Sequence, residues 1–125
     1  MISCSVAPVK IEYGKDVCSF CDMTIVDKTH AAEFVTKKGR AYKFDAVECL
    51  INDLKTKKES ELAFILVTDY LKLGELVNAK TATYLVSEKI KSPMGANLSA
   101  FKTKAEINYK GKTFNWQQIK EHIRK

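Results

Sequence analysis

The segment Cys18-Ser19-Phe20-Cys21-Asp22-Met23 brings two thiols and a thioether together within one short stretch. Thiolates and thioethers are soft donors. Among biological metals such a set selects copper(I), whereas zinc takes cysteine and histidine and almost never methionine. The β-branched run that follows, Thr24-Ile25-Val26, predicts a strand across residues 17–27. Side chains alternate along a strand, so Cys21 and Met23 would project from one face and converge on one ion. Pro93-Met94-Gly95 offers another thioether, with proline and glycine predicting a turn that holds Met94 at its tip. The alternative for Met94 is a gap-filling residue between two lobes. The expected metal ligands are therefore Cys21, Met23 and Met94, with Cys18 beside them, and the expected ion is Cu(I).

Two other cysteine chemistries fit part of the pattern. Cys18, Cys21, Cys49 and one histidine would make a tetrahedral structural zinc site, which leaves Met23 and Met94 without a role. Cys18 and Cys21 also have the Cys-x-x-Cys spacing of thiol–disulfide exchange, but that chemistry places the first thiolate at a helix start, and the residues that follow here favour a strand. Cys49 falls near Val47, Leu50 and Ile51 and reads as a small buried apolar residue rather than a ligand. His30 reads as an exposed turn histidine, His122 as a surface or half-buried helix residue, and Asp45 as a helix cap. The chain shows no nucleophile with a base, no phosphate loop and no paired carboxylates, so it is not read as an enzyme.

The elements that would carry these groups follow from patterning. Residues 32–36 and 40–44 are short extended runs around Lys37-Lys38-Gly39, which predicts a hairpin whose glycine supplies a positive φ. Val47, Leu50, Ile51 and Leu54 recur at helical spacing, predicting a helix over residues 46–57. Residues 64–68 follow as a buried strand, and residues 81–87 as another. The stretch 38–51 aligns without gaps to 110–123. Tyr42 pairs with Phe114, Phe44 with Trp116, Val47 with Ile119 and Ile51 with Ile123. The sequence therefore predicts an α+β fold of two related small lobes, each a strand/hairpin–helix–strand unit. Residues 1–16 would form an N-terminal tether, 17–69 the first lobe and 70–125 the second.

The chain has 125 residues and a net charge of +6. Its lysines are scattered rather than gathered into a stripe with interleaved aromatics, so the basic balance reads as a solvated surface and not as a nucleic-acid interface. The longest strongly apolar run, 62–67, is far short of the ~18 residues a bilayer-spanning helix requires.

Met1-Ile2-Ser3-Cys4 resembles the end of a bacterial lipoprotein signal, in which a small residue precedes a cysteine that is lipidated after cleavage. Several motifs together then resemble the NosL-type copper lipoproteins, accessory proteins of nitrous oxide reductase maturation. They are Cys18 ahead of Cys21-x-Met23, the run from Gly39 into Phe44-Asp45 and Cys49, and Pro93-Met94-Gly95 followed by Ala100-Phe101. The resemblance extends from about residue 17 to the C-terminus. It implies a two-lobed α+β monomer, tethered to a membrane through Cys4 and facing the periplasm. It also implies that the chain takes copper(I) from a membrane transporter and delivers it to a recipient cuproenzyme. The family's Cys-x-Met falls on Cys21 and Met23, and its later Met-Gly on Met94 and Gly95. Two positions depart from the family pattern: Asp22 stands where glycine is common, and Ala46 where Phe-Asp-Asp would have its second aspartate.

Overall fold

The computed structural model describes residues 6–93 and 95–124. Cys4 and Met94 lie outside the described residues, and with them the expectations of lipidation and of a turn thioether.

The described residues fold as a mixed α/β protein with two small sheets and two α-helices. In the first unit, β1 (Ala32–Thr36) and β2 (Ala41–Phe44) form the expected hairpin, followed by α1 (Val47–Leu54), β3 (Leu62–Thr68) and β4 (Leu76–Asn78). These strands lie in the order β2-β1-β3-β4, every neighbouring pair antiparallel. The first sheet thus takes its edge strand from beyond residue 69. The second unit has β5 (Thr83–Val86) at the centre of a sheet, with β6 (Leu98–Phe101) and β7 (Lys112–Phe114) on either side, and α2 (Trp116–Arg124) after β7. Each unit therefore contains a strand that feeds a helix, as the internal repeat predicts.

The repeated Lys-Gly dipeptide serves two different physical needs. Gly39 has φ +91°, a conformation that L side chains rarely adopt, and its N–H donates to Thr36 O at 2.9 Å, closing the hairpin turn. At Gly111 the constraint is space: a Cβ would stand 2.5 Å from Val86 O and 2.9 Å from the Ser87 Cβ.

The helix starts differ as well. Asn115 and Gln118 cap α2 reciprocally, each side-chain oxygen accepting the other residue's backbone N–H at 2.8–2.9 Å. At α1 the expected Asp45 cap is not made. Ala46 occupies the cap position without a side-chain hydrogen bond, and Asp45 is buried with Oδ1 unpartnered.

Both units share one core, in which Phe34, Phe44, Leu50, Ile51, Tyr84, Leu98 and Ile119 are fully buried. Polar struts cross between them. Glu59 accepts the Trp116 indole N–H at 3.2 Å and pairs with Lys120. His30 is buried, not an exposed turn residue: its Nδ1 lies 3.0 Å from Asp27 and its Nε2 2.8 Å from the Ser99 hydroxyl on β6.

Candidate metal centre

Residues 17–27 do not form the expected strand. Val17 and Thr24 make an isolated antiparallel bridge, and the chain between them folds into a tight loop. Within it Cys18 N–H donates to Met23 O at 2.8 Å, and Asp22 N–H to Cys18 O at 3.0 Å. The reversal requires a left-handed residue, and Asp22 supplies it with φ +64°. Aspartate is one of the few residues with a side chain that visits this region readily, which explains how it substitutes for glycine here. The β-branched residues that suggested a strand form only its shortest version, because the sulfur residues ahead of them turn back. Ser19 N–H donates to Lys43 O at 2.8 Å, docking the loop on the end of β2. Lys43 in turn pairs with Asp16 at 2.7 Å, and this contact holds the Asp16 carboxyl below its ordinary range.

The loop delivers Cys18 and Cys21 to a third thiol, Cys49 on α1. The three Sγ atoms all lie within 4.8 Å of one another, and all three cysteines are free. Three sulfurs around one ion, each about 2.3 Å from it, would stand about 4 Å apart, so the cluster has the dimensions of a thiolate metal site. Cys18 and Cys49 are buried and Cys21 is half-buried, giving the cluster one open side. Met23, on the rim of the same loop, is 59% exposed.

The thiols differ in acidity. Cys18 is lowered to about 5, first because the Cys49 thiol donates a hydrogen bond to it, and then because backbone N–H groups of Cys21, Asp45 and Phe20 point at its sulfur. The Cys21 N–H lies 3.5 Å from that sulfur. Donating its proton to Cys18 pushes Cys49 strongly upward, and burial adds to the effect. Burial raises Cys21. Asp45 is raised by burial and then by the negative charge on Cys18. These shifts favour Cys18 as the thiolate of the cluster, accepting from the Cys49 thiol and from backbone N–H groups.

Cys49 is the residue whose position sequence reasoning missed. It is buried, as expected, but it faces the thiols of the loop. A signal was available. On a helical wheel Cys49 falls nearly opposite the stripe of Val47, Leu50, Ile51 and Leu54, so its burial implies a second packed face. His30 is not part of the cluster, since both ring nitrogens already have hydrogen-bond partners in Asp27, Thr29 and Ser99. The Ser99–His30–Asp27 line has the order of a nucleophile–base–acid relay, but with Ser99 fully buried and His30 2% exposed it is closed to substrate. His122 is exposed and packs on the Phe114 ring at 4.8 Å.

A family model for NosL matches residues 8–123. The chain belongs to the NosL family. A crystal structure of the copper chaperone NosL from Shewanella denitrificans shares the fold, with a TM-score of 0.69 and 19% identity, covering 89% of this chain and 96% of that one. Comparison with curated protein sequences gives no match. In this NosL-family chain the Cys-x-Met pair occupies a tight loop rather than a strand, and two further thiols stand beside it.

Proposed function

We propose that this chain carries copper(I) as cargo, binding it with the sulfurs of Cys18, Cys21 and Cys49 and exchanging it through the exposed side of the cluster. The observation that carries this reading is the convergence of three free thiols, one of them half-buried, next to a solvent-exposed thioether. Membership of the NosL family supports copper as the metal. A thiol-rich site of three donors suits copper(I), which accepts low coordination with soft ligands. A structural zinc site calls for a fourth nitrogen or sulfur ligand, and His30 is engaged elsewhere. Thiol–disulfide exchange calls for an exposed attacking thiolate, whereas the acidic thiol here, Cys18, is buried.

Anaerobic titration of the reduced protein should show about one copper(I) per chain, held far more tightly than zinc. Met23→Ser should weaken copper binding by roughly tenfold, the lower end of what loss of a supporting interaction at a metal site costs. Zinc bound as tightly as copper, with Met23→Ser changing neither, would instead favour a cysteine zinc site.

The same reading has the chain act at the cell envelope, receiving copper from a membrane transporter and giving it to a periplasmic cuproenzyme such as nitrous oxide reductase, with Cys4 as the lipidated anchor. Expressed behind a lipoprotein signal in its own envelope, the protein should fractionate with membranes, and Cys4→Ser should move it to the soluble fraction. Equal membrane association of the two forms would reject the anchor.

A further inference from the structure

The tip of the β1–β2 hairpin and the connection from α1 to β3 enclose a cleft of about 460 Å³ on the first unit. Its frame is made by the backbone. The Lys37 N–H donates to Glu61 O at 2.9 Å, tying one wall to the other. Within the hairpin the Thr36 N–H donates to Arg40 O at 2.9 Å, and the Arg40 N–H to Thr36 Oγ1 at 3.0 Å. Tyr42 and Leu62 supply an apolar floor, Leu62 buried and Tyr42 half-buried with its ring centroid 5.0 Å from that of Phe34 in the core. Cys49 lies in the first turn of α1, whereas the connection that lines the cleft begins beyond its last residue, Leu54. The thiols and the cleft therefore stand at opposite ends of the helix.

Basic residues that look scattered along the chain meet in this cleft. Lys37, Lys38 and Arg40 come from the hairpin, and Lys57 and Lys58 from the connection. Their charge is largely uncompensated. Among the described residues Lys37, Lys38, Arg40 and Lys58 take part in no ion pair, and Lys57 reaches Asp53 only at 3.7 Å. Two of the cations lean on one ring, the Arg40 guanidinium 5.3 Å and the Lys57 ammonium 5.8 Å from the Tyr42 centroid. A solvated surface lets like charges spread apart, and drawing them together costs Coulomb energy. A concave wall of one sign focuses the field and attracts an anion. The planar fork of arginine suits phosphate, and five cations against one carboxylate, that of Glu61, exceed what a single carboxylate ligand would neutralise.

We propose that this cleft binds an organic phosphate, with the phosphoryl group between Arg40 and Lys57 and the apolar part of the ligand over Tyr42 and Leu62. Lys37, Lys38 and Lys58 add longer-range attraction, and the Ser60 hydroxyl at the edge offers a further donor. The apolar floor separates such a ligand from a bare anion, because covering hydrocarbon adds affinity that inorganic phosphate lacks. A soluble phosphate ester and the headgroup of an anionic phospholipid both present this chemistry. The inference goes beyond copper carriage and does not depend on it, since no thiol takes part.

The test has two arms, both on the full-length chain. In one, phenyl phosphate and inorganic phosphate are titrated and followed by amide NMR shifts. In the other, co-sedimentation compares phosphatidylglycerol vesicles with phosphatidylcholine vesicles. Phenyl phosphate should bind roughly tenfold more tightly than inorganic phosphate, with shifts confined to the hairpin and the connection. Arg40→Ala with Lys57→Ala should weaken binding about tenfold or more, and Arg40→Lys, which keeps the charge and loses the fork, about threefold. Lys102→Ala with Lys104→Ala removes the same charge from the second unit and should cost less than about twofold, because exposed charges that far away are screened. All four of these residues are exposed, so the variants leave the core untouched. Phenyl phosphate binding without vesicle binding assigns the cleft to a soluble ester, and selective binding of phosphatidylglycerol vesicles assigns it to a lipid headgroup. Binding of neither probe, equal binding of inorganic phosphate, or equal weakening by the two double variants would overturn the proposal. Copper(I) uptake should be unchanged in every variant, so failure here leaves the carrier reading intact.

Discussion

Cys18→Ser should lower copper(I) affinity by about two to three orders of magnitude, well beyond the effect of Met23→Ser. Four-ligand structural zinc sites are worth roughly 10–16 kcal/mol, so on that scale one ligand accounts for about 2.5–4 kcal/mol. Cys18 should lie at the top of that range, because it is the sulfur that the fold has already ionised. The serine hydroxyl is nearly the same size but does not ionise near neutral pH. The N–H groups of Cys21, Phe20 and Asp45 then point at a neutral oxygen, and Cys49 loses the acceptor for its proton. Competition titration against a chelator of known affinity measures the loss, and thermal unfolding of the apo protein checks that the loop still folds. An unchanged affinity would mean that Cys21 and Met23 bind the ion by themselves.

Copper(I) affinity should also rise steeply with pH, about 100-fold per pH unit between pH 6 and 8. In this range Cys18 is ionised, while Cys21 and Cys49, both raised above the ordinary thiol value, remain protonated. Binding to three thiolates therefore displaces two protons, and each displaced proton contributes a factor of ten per pH unit. Below about pH 5 Cys18 becomes protonated as well, and the slope should approach 1,000-fold per unit. Affinity thus falls as the solution is acidified. Proton release into weakly buffered solution counts the protons directly. A slope of about tenfold per unit would show that one of the two thiols keeps its proton and does not bind.

These predictions depend on a geometry that the sequence revealed only in part. The hairpin was legible because Gly39 and the flanking extended runs obey local rules, and α1 because its apolar stripe is regular. The helix ends at Leu54, earlier than expected, since Lys55, Lys57 and Lys58 add charge without adding a buried face. The internal repeat was legible too, in the strand-to-helix passages through Phe44 and Trp116. The loop at Cys18 was not. Its chain reversal is specified by one left-handed aspartate and by Ser19 docking on Lys43, and neither leaves a periodic trace. The burial of His30, and the thiols that face the buried Cys49, were not legible for a related reason. Each residue takes its surroundings from partners distant in sequence, Ser99 in one case and Cys18 in the other.

The origin of the three sulfurs has a consequence for how long the molecule lasts. Cys18 and Cys21 belong to an arm with little regular secondary structure, and Cys49 to a helix at the centre of the core. An ion that joins them closes a covalent-like ring in the chain, just as a disulfide would, and restrains the unfolded ensemble most where the arm is weakest. Cargo then acts as a staple. A filled molecule resists local opening of its N-terminal arm, an empty one opens and meets proteases sooner, and the difference grows with the tightness of binding. Turnover of the carrier would in that way follow the supply of metal, with no separate sensor.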